Sequence, residues 1–148
     1  MLPTIESLLQ AFNQIRKVHA ALLNDRMKEE NLSPNEIAIL IILSNNPHIT
    51  TATQLSVLLN VSKGLISRSV DHLCSRGILS CQSDEADRRI THLIICEKAK
   101  PLIGRLQHEM HLINQSILAD ISEDEIRQAE KTIKKIAESF QRRNHDEN

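Results

Sequence analysis

A mainly α-helical fold carrying one β-hairpin is predicted here, on three observations. Apolar residues recur at spacings of three and four through most of the 148 residues, the period of amphipathic helices. Between Ile78 and Cys96 that period gives way to two short β-prone runs around a polar turn. The segment Val61 to Arg89, VSKGLISRSVDHLCSRGILSCQSDEADRR, sets a short helix, a glycine stop, a strand and a basic hairpin tip in succession. That order describes a helix-turn-helix with a wing, bracketed by long helices at both ends.

The elements follow in order. Ile5, Leu8, Phe12, Ile15, Leu22 and Met27 lie near one stripe of a long first helix, widened by Leu9, Val18 and Leu23, and this stripe is expected to be buried against other helices. Ser33, Pro34 and Glu36 open the second: Ser caps, Pro takes the first helical position, and the Glu carboxylate returns to the cap amide. It continues through Ile37 to Leu43 until Asn45, Asn46 and Pro47 break it. Thr51 with Gln54 caps a third helix carrying Leu55, Val57, Leu58 and Leu59, the first of the helix-turn-helix. Asn60 and Val61 make the tight connection. Ser62 then caps the fourth, in which Leu65, Ile66, Val70 and Leu73 face inward and leave Lys63, Ser67 and Arg68 outward.

Gly77 stops that helix by taking a left-handed conformation. Ile78 to Gln82 and Ile90 to Cys96 are the two strands, flanking the turn Ser83 to Arg89 with two arginines at its edge. Beyond the wing, Ile103, Leu106, Met110, Ile113 and Ile117 trace one face of a long fifth helix. Ser122 with Glu125 caps a sixth, whose Ile126, Ala129, Ile133, Ile136, Ala137 and Phe140 leave Lys131, Lys134 and Lys135 in water.

The chain carries 18 Lys and Arg against 19 Asp and Glu, a formal net charge of −1, which on its face argues against a polyanionic partner. Distribution matters more than the sum. From Ser62 to Arg105 there are eight basic and five acidic residues, a balance of +3, and the remainder holds −4. The basic excess therefore sits with the helix-turn-helix and wing, and double-stranded DNA is the partner it suits. No apolar run approaches the roughly eighteen residues that span a bilayer. The first twenty residues carry Glu6, Arg16 and Lys17 rather than a signal-peptide profile. A cytoplasmic protein with no membrane partner is expected. Three cysteines, Cys74, Cys81 and Cys96, show no CxxC spacing and are odd in number, so neither a zinc knuckle nor a complete disulfide framework is indicated.

The run SKGLISRSVDHLCSRGIL, followed by DEADRRITHLIICEKAK, resembles the MarR-type winged helix-turn-helix transcription regulators. The likeness is carried by Ser67 with Arg68, Leu73, Gly77, Asp87 with Arg88 and Arg89, and Glu97 with Lys98. It implies a mainly α fold with an α+β wing and long N- and C-terminal dimerisation helices. The organisation expected is residues 1–30 as an N-terminal dimerisation helix, 31–96 as the DNA-binding domain, and 97–148 as C-terminal dimerisation helices. Helices this long and amphipathic cannot hide their stripes on a winged helix of roughly 70 residues, and mutual burial in a homodimer is the economical solution.

The function this implies is a sequence-specific regulator, in the first instance a repressor, that binds a near-palindromic operator and is released by an unidentified effector. In such a dimer each recognition helix enters a major groove, with half-sites roughly 34 Å apart. Thr51, Gln54, Ser62, Lys63, Ser67 and Arg68 are the candidate contacts to phosphates and base edges. Asp87 lies two residues before Arg89, close enough to hold its guanidinium in a fixed direction. The resemblance places Arg89 in the minor groove and Arg88 nearer phosphate.

For a small-molecule effector, some relatives bind aromatic acids between the dimerisation helices and the winged helix. This chain has Phe12 and Phe140 but neither Tyr nor Trp, so a pocket here would be walled by aliphatic groups. Hydroperoxide sensors of the family use a cysteine in the first helix supported by tyrosines, and both are missing. Cys96 stands where the family has a capping Thr, so its sulfur is expected to face helix amides. Cys81 reads as a strand residue half in solvent. These two are the candidates for a thiol switch, beside the plainer reading of inert packing that also covers Cys74. His108 and His111 are i,i+3 with Glu109 between them, a spacing that can share a metal ion. The zinc-responsive relatives' ligand set is incomplete, because Ile37 follows Glu36 where a His would stand. No metal or other cofactor is expected. No GxSxG, HExxH, P-loop or Rossmann glycine pattern occurs, which argues against an enzyme. The alternatives are a winged-helix protein-interaction module, docking an acidic partner on the same basic face, and a thiol-responsive regulator.

Overall fold

The structure, a computed structural model, describes residues 4–146. Its elements run α1 (Ile5–Arg26), α2 (Pro34–Asn45), α3 (Ala52–Leu59), α4 (Lys63–Ser75), β1 (Leu79–Ser83), β2 (Thr91–Ile95), α5 (Lys100–Ile117) and α6 (Glu123–Asp146). Short 3-10 turns at Lys28–Glu30 and Glu97–Ala99 lead into α2 and α5. This is the predicted winged helix-turn-helix with long flanking helices. Both strands lie within a residue or so of the expected bounds. No helix among the described residues is long and apolar enough to cross a membrane.

The caps are formed by the residues whose chemistry requires them. Ser33 Oγ accepts from Glu36 N at 3.2 Å, and Glu36 Oε2 accepts from Ser33 N at 3.0 Å. Thr51 with Gln54 and Ser122 with Glu125 close the same reciprocal box at α3 and α6. Thr4 does so at α1 with Ser7 in the place usually held by Glu or Gln, which the sequence pattern did not signal. Asn60 takes the left-handed conformation, φ 51°, between α3 and α4. At the other end of α4, Gly77 has φ 68°, its N–H donates to Cys74 O, and Ile78 N–H donates to Leu73 O. These are the two bonds of a Schellman stop.

The chain divides into two compact units, Met1–Ile113 and Asn114–Asn148. The core of the first gathers Leu23 and Met27 of α1's end, Ile37, Ile39 and Leu40 of α2, Leu55 of α3, and Ile66, Val70 and Leu73 of α4. Ile78 and Ala99, Leu79 and Leu93 of the hairpin, and Ile103, Leu106 and Ile113 of α5 complete it. The hairpin is antiparallel with Leu79 opposite Ile95 and Cys81 opposite Leu93. Leu93 N–H also donates to Thr50 O at 2.7 Å, fastening β2 to the stretch that precedes α3.

The expected burial of the α1 stripe is not met within the chain. Leu23 and Met27 are buried, whereas Ile5, Leu9, Phe12, Ile15, Val18 and Leu22 are exposed, Ile15 at 63%. The reason is reach. At 1.5 Å per residue α1 is about 33 Å long and α2 about 18 Å, so this core covers only α1's last turns. In the second unit, Ile133 and Phe140 on the apolar stripe of α6 are likewise exposed.

Candidate nucleic-acid interface

Helix α4, the second of the helix-turn-helix, is set by its own cap and by two polar clamps from behind. Ser62 Oγ accepts from Leu65 N at 3.2 Å, which fixes the first turn. Ile66, Ser69, Val70 and Leu73 are buried, so Lys63, Ser67 and Arg68 project from one exposed face. On the inner side, Glu36 of α2 is 5% exposed, and its Oε1 accepts from His72 Nδ1 at 2.5 Å. A single buried carboxylate thus caps α2 and holds α4. At the far end, Arg76 donates through Nη1 to Asn31 O at 3.1 Å and through Nη2 to Glu30 O at 2.8 Å, tying α4's stop to the turn after α1.

The hairpin tip is ordered by two aspartates. Asp84 Oδ2 accepts from Ala86 N at 3.0 Å and Asp87 N at 2.9 Å, an Asx turn. Its Oδ1 accepts from His92 Nε2 at 2.8 Å. Because a carboxylate only accepts, Nε2 carries the hydrogen, and the other ring nitrogen is hydrogen-bonded to Thr50 Oγ1 at 2.7 Å. Asp84, His92 and Thr50 therefore form a chain from the wing tip to the start of α3. The His92 bond first, then the amides of Asp87 and Ala86, hold the Asp84 carboxyl below its ordinary value of 3.8.

Asp87 does the same for the arginine beside it. Its Oδ1 accepts from Arg89 N at 3.0 Å and Nε at 3.1 Å, and its Oδ2 from Nη2 at 3.2 Å. The Arg89 side chain, then its backbone amide, lowers the Asp87 carboxyl. The guanidinium is aimed by this two-pronged grip while its side chain stays 91% exposed. Arg88 is exposed next to it.

Thr51 and Gln54 have most of their polar atoms engaged locally. Thr51 Oγ1 accepts from Gln54 N at 3.3 Å, and Gln54 Oε1 accepts from the amides of Thr50 and Thr51. Gln54 Nε2 donates to His48 O at 3.3 Å. Their side chains join His48, Arg89 and His92 in lining a groove between α3's start and the wing. The structure thus brings Thr51, Gln54 and Arg89 to one depression.

Of the cysteine and histidine candidates, Cys96 departs from expectation. Cys96 precedes the 3-10 turn with its backbone in the cap position, but its side chain makes no capping hydrogen bond. Its backbone carbonyl, by contrast, accepts from Ala99 N at 2.9 Å. Cys81 is exposed on β1, and its Sγ lies 3.8 Å from Cys74 Sγ at the end of α4. Burial first, then the Cys81 thiol, push Cys74 up to about 11. His108 and His111 are exposed on α5. Glu109 between them accepts from Arg26 Nη1 at 3.1 Å. Among the described residues, no group of three or more His, Cys, Asp or Glu side chains is placed to hold a metal ion.

Sequence reasoning missed the Asp84–His92–Thr50 chain, the Glu36–His72 bond and the cysteine pair. The Asx turn at Asp84 was legible in principle, because an Asp ahead of a short polar turn commonly accepts from amides two and three residues on. The other contacts depend on strand register or on the meeting of elements far apart in the chain.

Comparison with known proteins bears out the resemblance read from the sequence. Residues 30–90 match the MarR family model. The fold is shared with transcriptional regulator PA3341, at a TM-score of 0.82 and 20% identity, over 91% of this chain and 98% of that one. A MarR transcriptional regulator from Methanosarcina mazei Go1 is similar at TM-score 0.77 and 18% identity, covering 93% and 98%. A MarR-family protein from Listeria monocytogenes, complexed with 26mer DNA, is similar at TM-score 0.79 and 20% identity, covering 95% and 90%.

Proposed function

We propose, from the premise that residues 30–90 are a MarR-family winged helix, that this chain is a DNA-binding transcriptional regulator which reads a near-palindromic operator as a homodimer. The observation that carries the reading is Arg89, gripped at two points by Asp87 yet almost wholly exposed at the wing tip. A surface ion pair contributes little to stability, roughly 0 to 1 kcal/mol. The same pair that aims a guanidinium outward suits insertion into a minor groove. Lys63, Ser67 and Arg68 on the exposed face of α4 are the major-groove readers, and Ser62 stands at its start. Arg88 and the depression at Thr51 and Gln54 meet phosphates.

Residues 1–30 and 97–148 supply the dimer contacts in this reading, and 31–96 the reader. Support comes from the apolar side chains of α1 and α6 that face water in the single chain. The regulator acts as a repressor, located in the cytoplasm, and an effector relieves it without catalysis.

The test is binding of the full chain to genomic fragments selected by the protein, measured at several salt concentrations. Affinity falling steeply with salt, with preference for an inverted repeat, is the expected result. Arg68→Ala is expected to reduce discrimination between operator variants by about 1 to 3 kcal/mol, and Arg89→Ala to reduce affinity across sequences. Equal and weak binding to every duplex would instead support a protein-docking module.

A further inference from the structure

Two thiols that the sequence separates by six residues meet behind the reader. Cys74 closes the last turn of α4, Cys81 sits in the middle of β1, and their sulfurs are 3.8 Å apart. The Schellman stop at Gly77 creates this approach, because it reverses the chain and returns β1 alongside the helix end. Cys96 is near enough to add to the rise in the Cys74 pKa, as the last and smallest cause, but it is Cys81 whose sulfur is in contact with Cys74 Sγ.

We propose that Cys74 and Cys81 are a redox pair, oxidised by a hydroperoxide to an intrachain disulfide that draws the base of the wing toward the recognition helix. Exposure assigns the first step to Cys81. Its thiolate sulfur attacks the distal oxygen of the hydroperoxide, the O–O bond breaks, an alcohol leaves, and a sulfenic acid forms. Cys74, whose elevated pKa suits a resolving rather than an attacking thiol, gives up its proton and attacks that sulfur. The S–S bond forms as the S–O bond breaks, and the hydroxide departs with the proton as water. Two thiols and one hydroperoxide become one disulfide, one alcohol and one water.

A disulfide needs a separation of about 2.05 Å, so closure must shorten the present 3.8 Å approach by about 1.7 Å. The shift acts at β1, whose other end carries the turn that holds Asp87 and Arg89. Its effect on DNA rests on the function proposed above. Oxidation is expected to lower operator affinity about tenfold, the scale of one lost base contact.

The experiment treats the reduced full-length protein with one equivalent of cumene hydroperoxide, followed by thiol counting and tryptic peptide mapping without reduction. Expected are one remaining thiol of the three, on Cys96, and a linked pair of peptides 69–76 and 77–88 lighter by two hydrogens, reversed by dithiothreitol. Cys74→Ala is expected to accumulate a dimedone-reactive sulfenic acid at Cys81, and Cys81→Ala to keep both remaining thiols. Three surviving thiols, a bond to Cys96 or a bond between subunits would overturn the pair. An unchanged operator affinity after the mapped disulfide has formed would overturn the switch. Absence of duplex binding by the reduced protein would overturn the regulator reading alone, since the peptides report the disulfide independently.

Discussion

Glu36 offers a test of how α4 is held. Replacing it by Ala removes the acceptor for Ser33 N, a capping bond worth about 1 kcal/mol. It also removes the partner of His72. A hydrogen bond to a charged group is worth about 1.5 to 3 kcal/mol. The His72 side chain is 51% exposed, and solvent screening places this bond at the low end of that range. Glu36→Ala is therefore expected to destabilise by about 2 to 3 kcal/mol, and His72→Ala by about 1 to 2. The pairwise coupling should be about 1 kcal/mol in a double-mutant cycle. For 148 residues each kcal/mol corresponds to roughly 2 to 4 °C, so the Glu36 variant should melt about 4 to 12 °C lower. Urea unfolding followed by circular dichroism at one fixed protein concentration gives all four corners of the cycle. A coupling within about 0.3 kcal/mol of zero would refute the claim that this carboxylate clamps α4.

The remaining predictions concern the helix stop, the wing and the bare stripe. Gly77→Ala is expected to cost about 1 to 2 kcal/mol for its left-handed backbone, with Gly77→Asn milder; the added Cβ would also meet the flexible end of Lys98, which can move aside. Equal stability of all three proteins would contradict this. Asp84 has a lowered folded pKa, so its contribution is full above the ordinary value of 3.8 and is lost as pH falls through the lower folded value. Protection of the Asp87 amide from hydrogen exchange should persist at pH 5 and vanish only below about pH 4, whereas Asp84→Asn should show no such acid step. Ile15→Glu should leave the subunit's secondary structure intact and dissociate the proposed dimer in sedimentation, because this side chain meets water rather than the core of its own chain. An unchanged sedimentation coefficient would remove α1 from the interface.

What the sequence made legible was local chemistry. Ser33 with Glu36, Thr51 with Gln54, and Gly77 act within one helical turn, so residue type and spacing suffice to place them. Asp87 and Arg89 are legible for the same reason. The meeting of Cys74 with Cys81 was not, because it depends on how tightly the chain reverses after α4. His92 reaches Asp84 only once β2 is in register and the Asx turn has formed. What covers the α1 stripe was not legible, because periodicity reports that a face is apolar and says nothing of its partner. Cys96 failed as a cap because holding the backbone position does not oblige a sulfur to accept from an amide.

The bond from Leu93 to Thr50 bears on how this molecule behaves in a crowded cell. A two-stranded hairpin ordinarily offers two open flanks on which a neighbour's strand could add itself. Here one flank is stoppered by the molecule's own backbone, and β1 on the other side bears the short hydrophilic side chains Ser80, Gln82 and Ser83. Many copies can be held at high concentration while their hairpins resist zipping together into aggregates.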